Sequence, residues 1–230
     1  MTTEAPTPKR MHIYFVLDRS GSMQSIAPDV IGGFNAFVEA QKAESSNAVM
    51  TLVQFDSQDP FEVLADAEKL TKIVPLSAAT FVPRGGTPLY DAIGRTIAEA
   101  KIRIERRSAK DKPEEEILFI IFTDGEENQS VEYSQDQIAS AIKGCEASGW
   151  TFVYMGANQD AYAEGAKFAV NEANVSNFIA DEKGANLAFA SLSRAVSKKQ
   201  SSLVLGLEQS NLDFFDGEKD ADEDARSRTA

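Results

Sequence analysis

Between Glu116 and Thr123 the chain reads Ile117-Leu-Phe-Ile-Ile-Phe122, six apolar residues with no polar one among them. A strand with one face in water alternates apolar and polar residues, so an unbroken apolar run suits a central parallel strand covered on both faces. Parallel neighbours need long crossovers, usually helices, and the rest of the chain supplies them. A strand is expected over 12–17, then a helix over about 29–43 whose Val30, Phe34, Phe37 and Val38 share one face. A second strand follows over 49–55. The turn Asp56-Ser-Gln-Asp-Pro60 is too short for a parallel crossover, so 61–64 is expected as a short antiparallel edge strand.

After Gly85-Gly86-Thr87-Pro88, the residues Leu89, Ile93, Ile97, Ala100 and Ile104 form one helical stripe, with Thr87 as the N-cap and Pro88 at the first helical position. Helices over about 134–147, 160–167 and 184–196 alternate with strands over 151–155 and 177–180. The expected fold class is α/β: a doubly wound, mostly parallel central sheet with helices on both faces and one antiparallel edge strand.

With 230 residues, 43% of them hydrophobic, the chain suits one large domain plus tails. Residues 1–10, rich in Thr and Pro, read as a flexible leader, 11–207 as the folded domain, and 208–230 as an acidic tail. Apart from Leu212, Phe214 and Phe215 the tail lacks large apolar groups, and disorder is expected beyond Asp216. It reads as a solubilising segment whose carboxylates also have the chemistry to compete for a bound cation. The net charge of -13 argues against nucleic acid or an anionic membrane as the main partner. No apolar stretch approaches the length of a membrane span, and the opening residues lack the apolar centre of a signal peptide. Cys145 cannot form an internal disulfide and reads as core filling; His12, the single histidine, starts the first strand and reads as structural.

Three oxygen-rich turns stand out. Asp18, Ser20 and Ser22 alternate directly after the first strand, where open α/β sheets place their ligand sites. Thr87 follows a double glycine, and Thr123-Asp124-Gly125 ends the apolar strand. Each alone also reads as an ordinary turn or helix cap. Together, in one alternating chain, they supply hard oxygen donors suited to a cation such as Mg2+. Arg19 and Arg84 flank these turns; they read either as solvated surface groups or as readers of an acidic partner. Glu126 and Glu127 add negative potential or face solvent. Arg103, Arg106, Arg107 and Lys110, interleaved with Glu99 and Glu105, read as a solvated helix end favoured by the helix dipole.

In this order the motifs resemble the von Willebrand factor A-like domain family with its metal-ion-dependent adhesion site: a DxSxS motif after the first strand, a Thr in a later loop and an Asp after the fourth strand. The resemblance covers about residues 11–196 and implies a Rossmann-like fold and a bound Mg2+, with Mn2+ or Ca2+ as alternatives. It further implies that Ser20, Ser22 and Thr87 bind the ion directly, while Asp18 and Asp124 hold its waters and orient the hydroxyls. Neutral ligands leave the ion electrophilic, with a position open to a carboxylate from a partner protein; direct contact by Asp124 would weaken that attraction. The expected function is a non-catalytic, metal-dependent protein-interaction module, cytoplasmic and monomeric, of bacterial or phage type. By analogy its partner is a MoxR-type AAA+ ATPase or a stress-system protein. The alternative is a Mg2+-dependent phosphotransferase of haloacid-dehalogenase type with Asp18 as nucleophile. That chemistry usually needs a second carboxylate two residues on, and Ser20 stands there.

Overall fold

The structure is a computed structural model and describes residues 9–44, 48–108, 110, 114–157, 160–207 and 213–229. The expected leader (but for its last two residues) and residues 208–212 of the tail, Leu212 included, lie outside the described residues. Six strands form one sheet: β1 (Arg10–Asp18), β2 (Val49–Phe55), β3 (Glu62–Lys69), β4 (Glu115–Thr123), β5 (Thr151–Ala157) and β6 (Val175–Phe178), in the spatial order β3-β2-β1-β4-β5-β6. All neighbours are parallel except the antiparallel edge pair β2 and β3. The helices are α1 (Ala27–Glu44), α2 (Leu89–Ser108), α3 (Gln135–Glu146), α4 (Ala161–Lys167), α5 (Glu182–Val204) and α6 (Asp220–Thr229).

The unbroken apolar run of β4 is explained by two cores. Leu118, Ile120 and Phe122 join Phe15 of β1 under α1 and α5, whereas Ile117, Phe119 and Ile121 join Tyr14 and Val16 under α2 and α3. Each buried Phe or Ile contributes about 1.5–3 kcal/mol of transfer free energy. Helices α1 and α5 approach closely because Gly33 leaves room: a Cβ there would lie 2.2 Å from Cδ2 of Phe189.

Three expectations need correction. Strand β3 runs to Lys69, twice the length expected, because its polar sequence hides a strand that lies exposed at the sheet edge. Its pairing shifts register twice, and Ala67 takes a left-handed φ of 48° in the resulting bulge. Strand β6 sits two residues earlier than expected, and α5 continues to Val204.

The acidic segment after Asp213 is ordered against the domain instead of disordered. Phe214 and Phe215 are buried, and the Phe214 N–H donates to Asn174 Oδ1 at 2.8 Å. Ala221 and Ala225 turn the small face of α6 inward, and α6 packs on β6 and α5. Most of its carboxylates are partnered, which is why acidity misled: Asp216 pairs with Lys198 at 2.6 Å, Asp220 with Arg194 at 2.6 Å and Asp224 with Arg228 at 2.7 Å. Buried Asp222 accepts from the Tyr162 hydroxyl (2.7 Å), Ser176 Oγ (3.0 Å) and the outward N–H of Asn177 in β6 (2.9 Å). No described helix is long and apolar enough to cross a membrane.

Candidate metal centre

Strand β1 delivers Asp18 to the carboxyl end of the sheet with its side chain fully buried. One carboxylate oxygen accepts the Ser20 N–H at 2.7 Å and the other accepts the Thr123 hydroxyl at 2.6 Å, which ties the end of β1 to the end of β4. The Gly125 N–H donates to the same Thr123 oxygen at 3.1 Å and folds the β4 turn back over the site. Ser20 Oγ and Ser22 Oγ lie 2.9 Å apart, and the Ser22 hydroxyl donates to Asp124 Oδ1 at 2.6 Å.

Thr87 is brought to this cluster by backbone pairing between loops. The N–H of Gly21 donates to Gly85 O (3.0 Å), that of Arg84 to Arg19 O (3.0 Å) and that of Arg19 to Phe55 O (2.9 Å). Gly85 has a φ of +66°, and a Cβ there would lie 2.4 Å from Ser57 Oγ, so the loop depends on glycine. Thr87 is then clasped by Asn128, whose side-chain oxygen accepts the Thr87 N–H (2.9 Å) and whose own N–H donates to Thr87 O (3.1 Å).

The expected capping role of Thr87 is not what the structure holds. Helix α2 starts at Leu89, its first turn closing on Pro88 O, and its free N–H groups are met from the loop after β4: Tyr90 by Glu127 Oε2 (2.9 Å) and Asp91 by Ser130 Oγ (3.1 Å). The Thr87 hydroxyl is thereby released toward the centre. A Cβ built on Gly125 would lie 3.3 Å from Thr87 Oγ1, 3.4 Å from Ser22 Oγ and 3.9 Å from Asp18 Oδ2. Glycine here keeps open a cradle on which three oxygens converge.

Burial pushes the Asp18 carboxyl up to about 7, against hydrogen bonds from Thr123 and Ser20 that lower it; repulsion from Asp124 adds to the rise. Burial also raises Asp124, against the Ser22 hydrogen bond. Two desolvated carboxylates and three hydroxyls are a donor set for a hard divalent ion, which would reverse both shifts. No cluster of three or more His, Cys, Asp or Glu suited to a metal occurs among the described residues.

The two arginines divide. Arg19 is buried and bound to Asp56 Oδ2 through Nε at 2.8 Å, with a second ion pair to Glu62, so its guanidinium is spent inside the fold and the partner-contact expectation for it is corrected. Its neighbour in sequence, Asp18, ends a buried strand, and the turn that follows carries Arg19 inward with it. Arg84 donates through Nε to the same Asp56 oxygen at 2.9 Å but keeps a partly exposed side chain. Burial would raise the Asp56 pKa, yet the N–H groups of Gln58 and Asp59 and the two guanidiniums hold its carboxyl below the usual range.

Asp56 was missed as a residue of the site's scaffold, although it directly follows β2, beside the end of β1 at Asp18. Glu127, Asn128 and Asp91 were also missed in this role. Glu127 accepts from the N–H groups of Tyr90, Gln129 and Ser130, and buried Asp91 accepts from those of Val131, Glu132 and Tyr133, whereas Glu126 is exposed. Only their density of polar groups around two helix starts signals this.

The sequence profile of the von Willebrand factor type A domain matches residues 12–193. The chain belongs to this family. Among solved structures, the von Willebrand factor A domain chain superposes on proximal thread matrix protein 1 of the mussel byssus with a TM-score of 0.56 at 17% identity, covering 85% of this chain and 48% of that one. A further structure of that protein has a zinc-occupied MIDAS motif. Manganese-loaded TRAP protein of Plasmodium vivax gives a TM-score of 0.55 at 18% identity, covering 79% and 72%. The pilus adhesin SpaC of Lactobacillus rhamnosus GG gives 0.62 at 14%, covering 83% and 31%. The chain thus spans about half the length or less of the mussel and Lactobacillus proteins. At these identities the superpositions show the shared fold alone. No curated protein sequence matches the chain.

Proposed function

We propose that this von Willebrand factor A domain is a non-catalytic docking module, in which Ser20, Ser22 and Thr87 hold a divalent cation, Mg2+ before Mn2+ or Ca2+, with Asp18 and Asp124 behind them. The carrying observation is the cradle beside Gly125, on which Thr87 Oγ1, Ser22 Oγ and Asp18 Oδ2 converge. The metal-loaded sites of the thread matrix protein and TRAP support the reading. A cation there supplies an open coordination position for a carboxylate of a partner protein. The chain's own residues do the rest: Thr123 and the Ser20 N–H fix Asp18, Asp124 orients the Ser22 hydroxyl, and Arg84 remains available to an acidic segment at the rim.

The buried, doubly bonded carboxylate of Asp18 speaks against the phosphotransferase alternative, since a nucleophile needs an approachable oxygen. A cytoplasmic, monomeric protein working beside a MoxR-type ATPase or a stress-system protein completes the proposal by analogy. The test is thermal unfolding of chelator-treated wild type and Asp124→Ala across a Mg2+ series, followed by capture of the ATPase with and without chelator. A saturable rise in wild type that the variant loses supports the site, and metal-dependent capture supports docking. A flat response in both proteins overturns it.

A further inference from the structure

On the second face of the sheet α2 packs on β1 and β2, α3 on β5, and α4 on β5 and β6. A cleft of about 470 Å³ is left between α2 and β3, within the usual size of small-ligand sites. Tyr14 of β1 and Thr51 of β2 form its floor. The bulge in β3 shapes its far wall: left-handed Ala67 turns its N–H to the Thr51 hydroxyl at 3.0 Å.

Charge in the cleft runs against that of the chain. Arg103, Arg106, Arg107 and Lys110 line it, opposed by Asp66 and Glu99, in a protein of net charge -13. The expectation of a merely solvated helix end is therefore incomplete. Arg103 and Arg107 lean inward onto buried Glu115, which also receives Arg10 (Nε at 3.0 Å) and His12 (3.4 Å). One carboxylate among three guanidiniums holds them in place. Tyr14 is 2% exposed, and its hydroxyl, beside the Arg103 guanidinium, is buried without a formed hydrogen bond. A buried hydroxyl left without a partner is costly, and here it faces a cationic cleft. Val63 and Ile102, 44% and 39% exposed, offer apolar surface at the mouth.

We infer that the cleft between α2 and β3 binds a small oxyanion carried on an aromatic or short apolar body. The guanidinium forks match the paired oxygens of a phosphate or carboxylate, the Tyr14 hydroxyl donates to one of them, and the body lies on Val63 and Ile102. A long polyanion is a poorer fit, since Asp66 and Glu99 stand in the same walls.

Trp150, the single tryptophan, stacks parallel to Tyr14 with ring centroids 6.3 Å apart and so reports on the floor. The full chain is titrated with phenyl phosphate, benzoate and inorganic phosphate, followed by Trp150 emission and by ligand-observed NMR. Saturable binding of phenyl phosphate or benzoate is expected, their ratio telling phosphate from carboxylate recognition, with inorganic phosphate weaker. The double variant Arg106→Glu, Lys110→Glu should weaken binding about tenfold or more. Tyr14→Phe removes only a buried hydroxyl beside Arg103, so it should fold as wild type and bind roughly three- to tenfold more weakly. No saturable binding of any probe, or binding unchanged in both variants, overturns the inference, and inorganic phosphate as tight as phenyl phosphate overturns the apolar body. Asp124→Ala should bind the probes as wild type does, which separates this site from the metal centre.

Discussion

Gly125→Ala is the sharpest test of the metal cradle. The backbone of Gly125 is not in the left-handed region, so alanine fits it, and such a replacement stabilises by about 0.4–1 kcal/mol through the unfolded chain. The new methyl would sit 3.3 Å from Thr87 Oγ1 and 3.4 Å from Ser22 Oγ, contacts that ask neighbours to yield by a few tenths of an ångström. Metal-free stability should therefore stay within about 1 kcal/mol of wild type. The metal response should not survive, because the methyl occupies the space among the donor oxygens. Wild type at a free metal concentration of 100 Kd gains about 2.7 kcal/mol, which in a domain of this size is about 5–11 °C in Tm. The assay is thermal unfolding by circular dichroism, starting from chelated protein, over Mg2+ and Mn2+ series. A variant that keeps the full wild-type rise refutes the cradle, and one that loses several kcal/mol without metal refutes the claim that the space is free.

Further expectations concern packing and pH. Gly33→Ala should cost about 1–3 kcal/mol through the clash with Phe189, whereas Gly32→Ala, with open space around it, should stabilise by up to about 1 kcal/mol; urea unfolding of the pair decides. Asp222→Ala leaves the Tyr162 hydroxyl, Ser176 Oγ and the Asn177 N–H without their acceptor and should cost about 2–4 kcal/mol while the metal response persists. His12 is lowered from 6.5 to about 4, chiefly by burial. The unfolded chain thus binds the extra proton first, so the His12 contribution is complete above pH 6.5 and is lost as pH falls toward 4, about 3 kcal/mol in all. Unfolding free energies of wild type minus His12→Gln, measured from pH 8 to 4, should fall along that curve; a flat difference would contradict it.

Much of this architecture was legible because its signals are local. The unbroken run of β4 announces two covered faces, and the apolar stripe from Leu89 to Ala100 announces the buried side of α2. The three oxygen-rich turns were readable because each stands at a strand end or beside a helix start. What escaped depends on pairing across distance. Arg19 reads as a surface charge until Asp56 and Glu62 are placed beside it. Thr87 reads as a cap because nothing local says that Glu127 and Ser130, some 40 residues on, take that work. The carboxylates after Asp213 read as solvating because their lysines, arginines and hydroxyls lie on other elements.

Helix α6 has a topological consequence. A sheet extends from molecule to molecule only if each molecule offers two unpaired edges, one to receive and one to pass on. The β6 edge is closed by α6, with Asp222 satisfying the Asn177 N–H, and the remaining edge, β3, is charged and bulged. Two chains meeting β3 to β3 would leave no open edge between them. Growth by strand addition therefore ends at a pair, and a helix of ten residues removes the route to a fibre.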